Sequence, residues 1–105
     1  MLRRKLDKMF AAALRDKDIQ AWVCANVQTA IAALDFLKKK RIAVPGSISV
    51  IGFDDSVESL QHNLTSFNFN MRACAHCALN FILRKQYSRN PVDRGEMIIE
   101  RASSR

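Results

Sequence analysis

Ser47-Ile48-Ser49-Val50-Ile51-Gly52-Phe53 is a short, mostly apolar run that passes without transition into two carboxylates, Asp54 and Asp55. So little polar interruption suits a strand covered on both faces, as in a parallel sheet flanked by helices. In open sheets of that kind, ligands sit just beyond the carboxyl ends of the strands. The run therefore predicts an α/β fold and marks Asp54 as a place where chemistry would be found.

The segments around it complete a βαβ unit. Ala21-Trp22-Val23-Cys24-Ala25 is an apolar run of strand length that ends at Asn26. A helix is predicted from about Gln28 to Lys40, with Ala30, Ala33, Leu34 and Leu37 on one face and Ile31, Ala32 and Phe36 on another. A helix apolar on two sides packs on a sheet with one and meets a partner with the other. Val44-Pro45-Gly46 then reads as a turn into the opening strand. Strands joined by such a helix are parallel, with a right-handed crossover.

Upstream, Leu2, Leu6, Met9, Phe10 and Ala13 form the apolar stripe of an amphipathic helix over residues 2–15. No strand precedes it, so the chain reads as though it enters a fold partway through. Downstream, residues 56–63 are polar, a loop or short helical turn. Residues 64–69 alternate as a strand, with Phe67 and Phe69 on one side and Ser66 and Asn68 on the other. Helical spacing resumes over Met71 to Arg84. A polar connection containing Asn90-Pro91 follows, then a short strand at Met97-Ile98-Ile99 and a polar tail.

The 105 residues make about one domain, and 49% hydrophobic with 26% charged residues is a globular balance. The basic start Met1 to Lys5 is followed by an apolar run, Met9 to Leu14, shorter than a secretory core and closed by Arg15-Asp16. With no membrane-length apolar stretch either, the expected location is cytoplasmic, with no membrane contact. Three cysteines argue against a disulfide framework. The charge of +7 falls in three clusters: Arg3/Arg4/Lys5/Lys8, Lys38/Lys39/Lys40/Arg41 and Arg84/Lys85/Arg89/Arg94. Solvated helix faces and a helix C-terminus account for them. A free-standing nucleic-acid-binding module, the rival reading, would bind with steep salt dependence.

Few motifs carry chemistry. Cys74-Ala75-His76-Cys77 has neither the second pair of a zinc site nor the His of a haem-attachment site directly after the second Cys. Cys74 falls about one turn inside its helix among apolar stripe-mates, so small core residues are the favoured reading over metal or redox use. Three glycines cannot build a phosphate loop, and no serine sits on a nucleophile elbow. Asp54 and Asp55 are adjacent rather than opposed, so no catalysis, metal or cofactor is expected. What remains is a polar set at strand ends: Asn26, Asp54 and Asn68, with Phe53 and Phe67 or Phe69 as an apolar wall. Such a set suits a polyhydroxylated small molecule. Alternatively, Asn26 caps the second helix and Asp54 caps the next turn; the residues alone leave both open.

Ala25-Asn26, Thr29-Ala30-Ile31-Ala32-Ala33-Leu34, the stretch from Arg41 to Asp55, Leu64-Thr65-Ser66 and the close Ile98 to Ser103 together resemble the lac repressor/galactose repressor family of transcription regulators. The match runs in order from about Phe10 to Ser103 and is most specific from Val44 to Asp55. The resemblance implies part of a type I periplasmic-binding-protein fold, two α/β lobes with a small-molecule site between them. It places residues 1–67 in the C-terminal lobe and 70–105 in a crossing to the N-terminal lobe. It also implies that operator DNA is read only through a helix-turn-helix outside these residues.

Residue by residue, the resemblance assigns Asn26 and Asp54, with Phe53 beside them, to a sugar-like or nucleoside-like effector, and the strand-end reading adds Asn68 and Phe69. It assigns Ile31, Leu34, Asp35, Phe36, Lys38, Val57 and Leu60 to a homodimer surface. Val27 stands where the family usually has Asp, and Phe69 where it commonly has a polar residue, so the pocket is less polar. Rival expectations of the same resemblance are a solute-binding protein of a transport system and a remnant that keeps only an oligomerisation surface.

Overall fold

A computed structural model describes residues 2–84 and 98–105. The elements are α1 (Leu2–Ala13), β1 (Ala21–Val23), α2 (Val27–Lys39), β2 (Ser49–Phe53), α3 (Val57–Gln61), β3 (Thr65–Phe67), α4 (Met71–Arg84) and β4 (Ile98–Ile99). The strands form one sheet in the order β1-β2-β3-β4. Trp22 lies opposite Val50, and Gly52 opposite Ser66, in parallel register. The expected βαβ unit is present, and the α/β class with a mostly parallel sheet and flanking helices holds.

Two features depart from the expected layout. β4 runs antiparallel to β3, with Ser66 opposite Ile99. Residues 98–105, which the resemblance assigned to the crossing, instead join the same sheet as residues 21–67. The reason is hydrogen bonding at the amino ends of β2 and β3. Ser103 Oγ donates to Val50 O at 2.6 Å and accepts from Thr65 N–H at 2.8 Å, while Val50 N–H donates to Ser103 O at 2.8 Å. Arg101 N–H adds a bond to Thr65 Oγ1 at 2.8 Å. A polar tail is thus buried because it satisfies ladder groups that would otherwise be orphaned.

The core lies between the sheet and the pair α1 and α2. Phe10, Trp22 and Phe36 pack ring against ring, with Phe10 stacked on Trp22 at 5.3 Å between centroids. Ala30, Ala33 and Leu37 of α2 are fully buried along with Val50 of β2. The small alanines let α2 approach so closely that a Cβ built on Gly52 would stand 3.1 Å from Leu64 and 3.2 Å from Ala30. A side chain at position 52 would need Leu64 or Ala30 to give by a few tenths of an ångström.

α2 ends in a Schellman motif: Arg41, left-handed at φ 58°, donates to Lys38 O, and Ile42 N–H to Leu37 O, each at 3.0 Å. α4 is built differently. Ala73 is buried, but Met71, Leu79, Phe81, Ile82 and Leu83 are exposed. Its amphipathic surface is largely uncovered by the described residues.

Candidate functional site

Because β1, β2 and β3 are parallel, their carboxyl ends share one end of the sheet. Asn26 follows the first, Asp54 the second, and Asn68 and Phe69 the third. The structure therefore brings these four residues, with Phe53, to one rim, as expected from the strand ends.

Each does something different there. Asn26 Oδ1 accepts from Thr29 N–H at 2.8 Å, so it caps α2. Capping uses one acceptor and leaves the amide NH2 to donate. Asn26 also lines an open groove of about 440 Å³ between α1 and α2, with Leu6, Thr29 and Ile31 among its walls. The other alternative, Asp54 as the cap of the next turn, is not what forms. Ser56 holds the N-cap position of α3. Asp54 is exposed at φ 83°, its N–H donating to Phe67 O at 3.0 Å. No partner for its carboxylate occurs among the described residues.

Asp55 turns the opposite way. Its carboxylate lies 2.8 Å from Arg101 Nη2 and accepts from Asn68 Nδ2 at 3.0 Å, while its N–H donates to Ser66 Oγ at 2.9 Å. Asn68 Oδ1 in turn accepts from Asn70 N–H at 2.7 Å. The Asn68 amide, expected to face a ligand, is engaged on both sides in holding the loop. It positions the rim. Sequence reasoning missed Ser66 and Arg101, which anchor this network; the only prior signal was a Ser and an Arg in segments otherwise read as strand and tail.

The apolar wall is a three-ring cluster. Phe53 packs 5.6 Å from Phe67 and 5.7 Å from Phe69, and Phe67 meets Phe69 edge-on at 4.9 Å. Phe69 remains 42% exposed, so it presents ring surface at the same end of the sheet as Asp54.

The residues assigned to a partner surface divide. Val57 and Leu60 on α3 are 69% and 64% exposed. Leu34 and Lys38 line a groove of about 340 Å³ with Ile42, Val44 and His62. Ile31 is half-buried, and Asp35 accepts from Arg3 at 3.0 Å. Phe36 corrects the expectation: it is turned into the aromatic core beside Phe10 and Trp22, so its ring is not available to a partner. Sequence placed it on the helix's second face, but α1 covers that face.

The cysteines also part from expectation. Cys24 is core, and burial pushes its thiol pKa up. Cys74 is exposed and Cys77 half-buried, so small-core use does not describe them. No group of three or more His, Cys, Asp or Glu suited to a metal occurs among the described residues. Of the three basic clusters, Lys85, Arg89 and Arg94 lie outside the described residues, as does the expected Asn90-Pro91 connection. No helix among the described residues is long and apolar enough to cross a membrane.

A family model described as a periplasmic binding protein-like domain matches residues 2–104. Among solved structures, the chain is similar to the transcription regulator GntR from Chromobacterium violaceum, at 27% identity and a TM-score of 0.72 over 97% of this chain and 40% of that one. It is similar to a LacI-family transcriptional regulator from Burkhoderia phymatum, at 25% identity and a TM-score of 0.68 over 97% and 39%. A LacI-family regulator from Arthrobacter sp. FB24, solved in complex with lactose, shares the fold at 19% identity, with a TM-score of 0.67 over 95% and 40%. The chain thus spans about 40% of the length of these structures. No curated protein matches it.

Proposed function

The chain belongs to the periplasmic binding protein-like domain family, and from that premise we propose that it is the C-terminal effector-binding and dimerisation segment of a LacI-type transcription regulator. The observation that carries this reading is the shared rim. Three parallel strands end side by side, and a carboxylate at Asp54 with no partner among the described residues, the Asn26 amide and the Phe53/Phe67/Phe69 cluster stand at their ends.

Asp54 accepts from ligand hydroxyls or N–H groups, Asn26 donates through its NH2, and Phe69 covers an apolar ring face. Asn68 fixes Asp55 and the turn behind them. The effector is a sugar or a nucleoside-like molecule. Lactose in the Arthrobacter relative supports the sugar class, and the three-ring wall supports a flat or apolar ligand face. The effector acts by differential affinity for open and closed arrangements of two lobes. Residues 1–67 belong to one lobe, and α4, with its exposed apolar side chains, leads toward the second. Operator DNA is contacted by a separate helix-turn-helix, and the segment itself does no catalysis. Dimer contacts run over Val57, Leu60, Leu34 and Lys38, beside Ile31 and Asp35.

Binding is tested by thermal shift and titration calorimetry with lactose and a nucleoside panel on wild type and Asp54→Ala. A compound that raises the Tm of wild type and not of Asp54→Ala supports the reading. Equal stabilisation of both removes Asp54 from the site. Val57→Asp with Leu60→Asp should shift sedimentation toward monomer; unchanged association removes α3 from the interface.

A further inference from the structure

We propose that Cys74 and Cys77 are a reversible dithiol–disulfide pair, a modification site on α4 that abuts the aromatic rim. Cys74 is exposed and Cys77 half-buried, three residues apart on one helix. A helical rise of 1.5 Å per residue on a Cα radius of about 2.3 Å puts such residues about 5 Å apart. Disulfides bridge Cα atoms about 4.4–6.8 Å apart. The Cβ atoms of neighbouring helical residues begin about 5–6 Å apart and must close to about 4 Å. Oxidation therefore tightens that turn.

A helix locked into a core would resist this. α4 has Ala73 buried but most of its large side chains exposed, so the turn has room to adjust. The bond formed is strained and accessible, and such disulfides are the readily reduced ones. Reversibility follows from the same geometry that permits closure.

The oxidant is a low-molecular-weight disulfide. The Cys74 thiolate attacks one of its sulfurs and expels one small thiolate, giving a mixed disulfide. The Cys77 thiolate then attacks Cys74 Sγ and expels the second. Two protein thiols become one disulfide, the small disulfide becomes two thiols, and the two protons given up by the cysteines end on those thiols or in solvent.

The position gives the modification a consequence. Cys74 S–H donates to the Phe69 carbonyl at 3.5 Å. A disulfide sulfur has no proton, so oxidation removes that contact at the entry to α4, next to the most exposed ring of the cluster. Cys24, buried behind β1, is excluded from the reaction. The pair's chemistry stands independently of the effector reading.

The full 105-residue chain is incubated with oxidised glutathione, and thiols are then counted in denaturant. The expected count falls from three to one, with a mass loss of two hydrogens, no change in chain number on a non-reducing gel, and recovery with dithiothreitol. Cys77→Ser should stop at glutathione on Cys74, separating attack from closure. Amide exchange at residues 69–74 should accelerate on oxidation. A count that stays at three, crosslinked chains as the main product, glutathione retained on the wild type, a bond containing Cys24, or unchanged exchange at residues 69–74 would overturn the proposal.

Discussion

Arg101 Nη2 stands 2.8 Å from Asp55 Oδ1, with both side chains mostly buried at 15% and 13% exposure. The pair joins the tail to the loop that carries the candidate site. Arg101 also donates through Nη1 to Leu64 O at 2.8 Å, and the contact to Asp55 is close without hydrogen-bond alignment. One consequence is a division of labour between adjacent carboxylates. Asp55 is held inward by a cation and an amide, and Asp54 is thereby turned out to solvent at the strand end.

Arg101→Ala should be among the more destabilising single changes outside the core. Removing one partner of a buried pair leaves an uncompensated charge, at about 3 kcal/mol, and also strips the Leu64 carbonyl of a donor. Urea denaturation followed by far-UV circular dichroism measures it. A loss no larger than that of an exposed substitution such as Lys8→Ala would show that the tail is not anchored here.

Asp54→Gly should raise stability while removing the carboxylate from the rim. A non-glycine residue at φ 83° carries backbone strain of about 1–2 kcal/mol, and glycine relieves it without steric cost. The Asp54 side chain has no partner among the described residues, so little is lost in exchange. Glycine's greater loss of backbone freedom on folding, about 0.5–1 kcal/mol, offsets part of that relief. A net increase of roughly 0.5–1 kcal/mol in unfolding free energy is expected, together with loss of any ligand-dependent Tm shift. A decrease would give Asp54 a structural role in place of a binding one.

The parallel core of the fold was legible because each strand advertised itself. Ala21–Ala25 and Ser47–Phe53 are runs with little polar interruption, the pattern of parallel strands, although the described residues cover only one face of β1 and leave Val23 66% exposed. Asn26 and Asp54 followed from where those runs stop. The tail was not legible, because Arg101 and Ser103 are polar residues after a two-residue strand, and nothing local says they will be buried. Their burial depends on open ladder groups of Val50 and Thr65, some 38 to 53 residues away. Phe36 was misplaced for a related reason: periodicity finds an apolar face but does not say whether α1 or a second subunit covers it.

Cys24 gives a pH dependence of defined sign. Burial raises its thiol pKa in the folded protein, whereas the unfolded thiol ionises around pH 8.5, roughly the ordinary value. Above that point the folded state holds a proton that the unfolded state has released, so stability falls as pH rises from there through the folded value. Below it the contribution is fully present. Cys24→Ala should flatten the alkaline limb of a Tm-against-pH curve relative to wild type. Iodoacetamide at neutral pH should label Cys74 well before Cys24; comparable rates at both would mean Cys24 is not shielded.

Gly52→Ala tests the close approach of α2 to β2 that sets the whole rim. The added methyl would meet Leu64 Cδ2 at 3.1 Å and Ala30 Cβ at 3.2 Å, and both neighbours are fully buried. Ala30 sits on a helix and has no rotamer to give, so relief must come from Leu64 or from α2 shifting away. Overpacking of this kind costs about 1–3 kcal/mol. Because α2 begins at the Asn26 cap, a shifted helix also moves Asn26 relative to Asp54. The expected result is a lower urea midpoint with an unchanged m-value. Ala30→Gly should recover part of the loss in the double variant, although glycine in a helix interior itself costs about 1 kcal/mol. A double variant no more stable than the sum of the single changes would mean that Ala30 is not the obstacle.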